Sequence, residues 1–99
     1  MKLVMVRANV RPERVDDIEE AGRTLFAAIE RERLQGIRYA SVRLPDGVTY
    51  LNLLALDDGI ANPLPSLPEA RQFQEQLKGW LAGPATSEPL TVIGSYRLF

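Results

Sequence analysis

The stretch from Tyr39 to Leu56, YASVRLPDGVTYLNLLAL, limits the possible folds more than any other part of this chain. Two runs rich in Val, Leu, Tyr and Thr flank Pro45-Asp46-Gly47. Proline presets φ, an aspartate can bond nearby backbone amides, and glycine accepts a positive φ without steric cost, so the three together predict a tight turn between two strands. Every other element is then placed relative to a β-hairpin.

One strand and one helix are expected before it. Leu3 to Val10 alternates, with Val4, Val6, Ala8 and Val10 on one face and Leu3, Met5, Arg7 and Asn9 on the other. Pro12 then suits a first helical position, where its missing N–H costs little. Val15, Ile18, Gly22, Leu25 and Ile29 recur at helical spacing, acidic residues lie early and Arg31 and Arg33 late, and Gly36 offers a stop. After the hairpin, residues 57–65, DDGIANPLP, read as a loop. Ser66 and Glu69 stand at capping-box spacing before a helix that places Ala70, Phe73, Leu77, Trp80 and Leu81 on one side, and Gly83-Pro84 ends it. Leu90 to Phe99 is the expected last strand.

The order is strand, helix, strand, strand, helix, strand. It predicts a ferredoxin-like βαββαβ α+β fold over residues 1–99 as a single domain, a four-stranded antiparallel sheet with two helices on one face. In the hairpin, Ala40, Val42, Leu44, Leu51 and Leu53 are expected to face the helices, and Tyr39, Ser41, Arg43, Tyr50 and Asn52 the other way. That other face would meet water in a single copy, so a homodimer with its sheets face to face is expected.

Composition removes several chemistries. The 99 residues contain no cysteine and no histidine, so thiolate nucleophiles and the commonest acid–base and metal ligand are absent. Without a histidine, no serine or threonine has the usual activating base. Twelve basic residues against thirteen acidic ones lack the basic surplus of a nucleic-acid binder. No apolar run approaches the roughly 18 residues of a membrane span, and no leader-like segment opens the chain, so a cytoplasmic protein is expected. Asp57-Asp58 has no second cluster of ligands, and no metal is expected.

With these features the chain resembles the dimeric α+β barrel superfamily, and within it the antibiotic-biosynthesis-monooxygenase-like domains. The resemblance lies in the element order, Asn9 near the end of strand one, the RLPDGVTYLNLLALDDG hairpin, and the helix bearing Phe73 and Trp80. It implies oxygenation of polyphenols or quinol-type molecules without a metal or other cofactor. The haem-degrading branch uses a histidine ligand that this sequence lacks. Asn9, Asn52 and Tyr50 are the expected catalytic groups, by hydrogen bonds to a substrate oxyanion. Arg7, Trp80 and Tyr39 are the expected substrate-binding groups. The competing reading is a non-catalytic small-molecule-binding or structural dimer, in which the same side chains fill an interface.

Overall fold

The computed structural model describes residues 1–99. Strand β1 (Lys2–Asn9) leads through a single 3-10 turn, Pro12–Arg14, into helix α1 (Val15–Glu32). The hairpin strands β2 (Ile37–Arg43) and β3 (Thr49–Leu56) follow, then helix α2 (Pro68–Trp80) and strand β4 (Thr86–Leu90). The sheet runs β2-β3-β1-β4 with every pair antiparallel, and this is the ferredoxin-like order. No helix is long and apolar enough to cross a membrane.

The hairpin turn forms as its residues dictate. Asp46 Oδ1 accepts the amides of Val48 at 3.0 Å and Thr49 at 2.9 Å, and Gly47 sits at φ 79°. The amide of Leu44 meets the Thr49 carbonyl at 2.8 Å to close the loop. The turn also anchors the end of β1: the Val10 amide donates to the Val48 carbonyl, and the Arg11 amide to the Trp80 carbonyl at the end of α2, both at 2.9 Å. Val10 is 1 % exposed and forms the centre of a core with Ile18, Leu25, Ala28, Leu67, Ala70 and Phe73.

Four expectations need correction. Helix α1 stops at Arg33, which takes the left-handed conformation at φ 49°, rather than at Gly36. Gly36 serves a close approach instead, since a Cβ there would lie 2.8 Å from the Ile60 side chain. No capping box forms: the Ser66 hydroxyl donates to the Pro63 carbonyl at 2.6 Å, and Glu69 pairs with Arg31 across the helices at 3.0 Å. The fourth strand is Thr86–Leu90, pairing Arg7 with Thr86 and Leu3 with Leu90, not residues 90–99. A sheet edge tolerates Pro89, whereas the alternating apolar residues beyond it have no strand to join. Ile93, Tyr96 and Leu98 are 95, 83 and 72 % exposed.

The largest correction concerns the two faces of the hairpin. Directly opposed residues share a face, and the register sets Ala8 against Tyr50 and Arg43, Val6 against Asn52 and Ser41, and Val4 against Leu54 and Tyr39. Tyr50 packs in the core, Tyr39 stacks on Phe26 of α1 with centroids 5.2 Å apart, and Arg43 reaches Glu19 of α1. The polar-bearing set therefore lies under the helices. Ala40, Val42, Leu51 and Leu53 line the uncovered face with Met5 and Arg7, while Leu3 at the end of the same face is buried. Alternation separates two sets but does not say which set is inside, and one wrong parity inverts a whole strand.

Candidate functional site

The inward turn of the hairpin puts its polar side chains into the space between sheet and helices. Two clefts lie there. One, about 460 Å³, is bounded by α1 and the β2–β3 strands and lined by Glu19, Gly22, Arg23, Phe26, Ser41 and Arg43 among others. The second, about 670 Å³, lies between the sheet and α2 and is mostly apolar, with Val4, Val6, Leu54, Leu64 and Leu77 on its walls. They meet at Leu25, Tyr39 and Asn52, which line both.

Of the residues expected at a site, Asn52, Tyr50 and Tyr39 come together here. Arg7 and Asn9 are exposed on the opposite face of the sheet, and the Asn9 side chain is hydrogen-bonded to Thr49 Oγ1 at 2.8 Å in support of the hairpin. Trp80 lines a separate hollow between α1 and α2, with Glu69 and Gln76, and packs against the core.

The network at the end of the first cleft centres on Glu19. One oxygen, Oε2, accepts the Tyr50 hydroxyl at 2.6 Å and Arg43 Nη1 at 2.5 Å. The Tyr50 bond is the largest influence on the Glu19 carboxyl. With Arg43 and Arg23 it outweighs desolvation and holds that carboxyl below the ordinary 4.5. Burial, and then the bond to Glu19, push the Tyr50 phenol up to about 12. Burial alone raises Tyr39. Glu19 escaped the sequence reading because a lone carboxylate in a helix is ordinarily solvated. The signal was its position, beside Ile18 and three residues before Gly22 on the apolar stripe.

The signs give a pH dependence. Glu19 has a folded pKa below its unfolded one, so its contribution is complete above about 4.5 and is lost as pH falls through the folded value. Tyr50 has a folded pKa above its unfolded one, so its contribution is complete below about 10 and is lost as pH rises towards 12. Tyr50→Phe removes the hydroxyl, at a cost of roughly 1 kcal/mol because Arg43 is half exposed and solvent weakens the network. Thermal melts across pH are expected to show Tyr50→Phe closing on the wild type at both extremes. A constant gap would contradict the Tyr50–Glu19 coupling.

Asn52 and Tyr39 differ from this network in an important way. The Glu19, Tyr50 and Arg43 groups satisfy one another, whereas the Asn52 amide and the Tyr39 hydroxyl bond to no other protein group and face open volume. Gly22 adds to that volume, since a Cβ there would meet nothing within 4 Å. Gly22→Ala is therefore expected to gain roughly 0.5–1 kcal/mol from helix propensity, read as a raised melting temperature, without strain.

No protein-family model matches this sequence, and no curated protein matches it by sequence. Solved structures do match in fold. The crystal structure of an antibiotic biosynthesis monooxygenase superposes with a TM-score of 0.76 at 13 % identity over 95 % of this chain and 100 % of its own. SnoaB, a cofactor-independent oxygenase from Streptomyces nogalater, was solved with an asparagine-to-alanine substitution. It superposes at 0.69 with 15 % identity over 97 % of each chain. Rv0793 from Mycobacterium tuberculosis superposes at 0.62 with 20 % identity over 95 % of this chain and 96 % of its own. A four-stranded antiparallel sheet under two helices, matched over nearly its whole length, gives this chain the fold of the antibiotic-biosynthesis-monooxygenase-like proteins.

Proposed function

We propose that this chain is a cofactor-independent monooxygenase-like enzyme acting on a small aromatic or quinol-type molecule. The observation that carries the reading is the pair of unspent polar groups, Asn52 and Tyr39, in a cleft walled by aromatic and aliphatic side chains. Such a cleft orients a ligand by a few polar contacts and holds its body by apolar ones. The ring lies near the Tyr39–Phe26 stack, and its oxygen takes hydrogen bonds from the Asn52 amide and the Tyr39 hydroxyl. Ionisation of the phenol moves electron density onto the ring, where dioxygen adds. The resulting hydroperoxide loses water to leave a quinone, so one oxygen atom stays on the ring. The other departs with the two hydrogens that the phenol gives up.

Asn52 serves as the oxyanion donor, and Tyr50 and Glu19 hold Arg43 in place. Neither Glu19, held below the usual carboxylate range, nor the two raised tyrosines is poised to take a proton near neutrality. The substrate must then be acidic enough to ionise when the cleft stabilises its anion. The same observation favours the second reading, a non-catalytic small-molecule-binding dimer. Oxygen uptake separates them. A panel of hydroquinones and hydroxynaphthalenes is expected to include at least one compound whose oxygen consumption and quinone absorbance rise with enzyme concentration. Binding without oxygen consumption would leave the binding module.

We also infer a homodimer formed through the uncovered sheet face. Only 12 of the 99 residues are buried in a single copy, while Met5, Leu51, Leu53, Ala40 and Val42 form a continuous apolar surface that a second sheet would cover.

A further inference from the structure

Arg23 follows Glu19 by four residues on α1, the spacing at which a glutamate and an arginine ordinarily pair along a helix. Here they make no ion pair. Glu19 turns to Tyr50 and Arg43 on the sheet, and Arg23, though near enough to act on the Glu19 carboxyl through space, is left exposed at the cleft wall with no direct ion pair. The charged groups lining this cleft are then two guanidiniums against one carboxylate, in a chain whose net charge is −1. The larger cleft shows no such excess, because its charged residues, Arg71 and Glu75, are one of each sign. The surplus positive charge is a local property of the cleft that also holds Phe26, Tyr39 and Asn52.

The lining is graded. Arg23 is exposed, Phe26, Tyr39 and Asn52 are half-buried, and Leu25 and Phe73 are buried. A ligand matching that gradient carries an anionic group at its wet end and an aromatic body behind it. It also needs an oxygen within reach of Asn52 and Tyr39. A guanidinium presents a planar fork that fits a carboxylate with two parallel hydrogen bonds.

We propose that the cleft between α1 and the sheet takes a hydroxylated aromatic carboxylate as its monoanion, with Arg23 as the residue that selects the carboxylate. This rests on the reading of the cleft as a small-aromatic site and narrows its substrate class. Charge brought in by the ligand is balanced by the unpaired guanidinium, and the ring hydroxyl remains for Asn52 and Tyr39.

Equilibrium titration under nitrogen, by calorimetry or by amide shifts in NMR, tests this with two probes of one ring system. These are a hydroxynaphthoate and the naphthol that lacks its carboxylate. Arg23 is exposed, so the wild type is expected to favour the carboxylate by a moderate factor, about five- to tenfold. In Arg23→Gln that preference falls to near one while the naphthol affinity stays within about twofold, and Arg23→Lys, which keeps charge but loses the fork, falls between. Molar salt shrinks the wild-type preference by screening. Equal affinities in the wild type, no binding of the hydroxynaphthoate, or a preference that survives in Arg23→Gln would each overturn the assignment. Without dioxygen there is no turnover, so this result is independent of the oxygenase reading. Selective binding with no oxygen uptake removes the enzyme and keeps the carboxylate site. Uptake on neutral naphthols without carboxylate preference does the reverse.

Discussion

Asn52→Ala is expected to cut oxygen uptake by about 10²–10³-fold, the usual loss when one donor to a developing oxyanion is removed. The effect should fall mostly on kcat, since the amide bonds a phenolate more strongly than the neutral phenol that first binds. Stability should change little. Asn52 is half-buried at the meeting point of the two clefts and gives no hydrogen bond to the protein, so its truncation leaves no partner unsatisfied. Circular dichroism and melting temperature indistinguishable from the wild type, together with the lost uptake, would place Asn52 at the chemistry. Undiminished uptake would remove it from the mechanism, and with it the argument from unspent polar groups.

The second large effect is expected at Leu53→Asp. Leu53 lies in the middle of the uncovered face, directly between Met5 of β1 and Ala40 of β2. In the proposed dimer, an aspartate there would be an unpaired charge inside an apolar interface, costing roughly 3–5 kcal/mol for each buried carboxylate. Two symmetry-related copies would also repel each other. Sedimentation at micromolar concentration should give the wild type twice the 11.1 kDa chain mass and the variant a single chain. Helix and sheet content should persist in the variant, because Leu53 does not face the helices. A wild type that sediments as one chain would end the dimer proposal.

Features determined by neighbouring residues were legible in advance. Pro45-Asp46-Gly47 carries its own turn chemistry, the helical stripe from Val15 to Ile29 carries its own period, and the order of elements followed from these. Features determined by distant partners were not. The parity of the hairpin depends on which side the helices cover. Both alternating sets hold enough apolar residues to look like a core face, and the sequence pattern by itself favours the aliphatic one. Strand β4 is hidden in the sequence for a related reason: Thr86–Leu90 pairs through its backbone at an edge, where composition leaves little trace, while the more strand-like residues after Leu90 find no partner. The Glu69 carboxylate was drawn from a local cap to Arg31 on the other helix. Glu19 gained its meaning only when Tyr50 and Arg43, 31 and 24 residues away, met at one of its oxygens. The residue types of Asn52 and Tyr50 mark them for a site, but the register puts them on the side of the sheet opposite to the expected one.

The two outer strands of the sheet have a consequence for how copies of this chain would associate. Strand β4 ends in Glu88, Pro89 and Leu90, and its proline offers no amide to a passing strand. Strand β2 exposes Arg38 and Arg43. Growth by adding strands side by side is thus discouraged at both margins, while the broad apolar face stays open. Contact through edges can continue without limit, but contact through one face is complete after a single partner. A sheet guarded at its margins and bare on one side is therefore biased towards a closed pair and away from fibres.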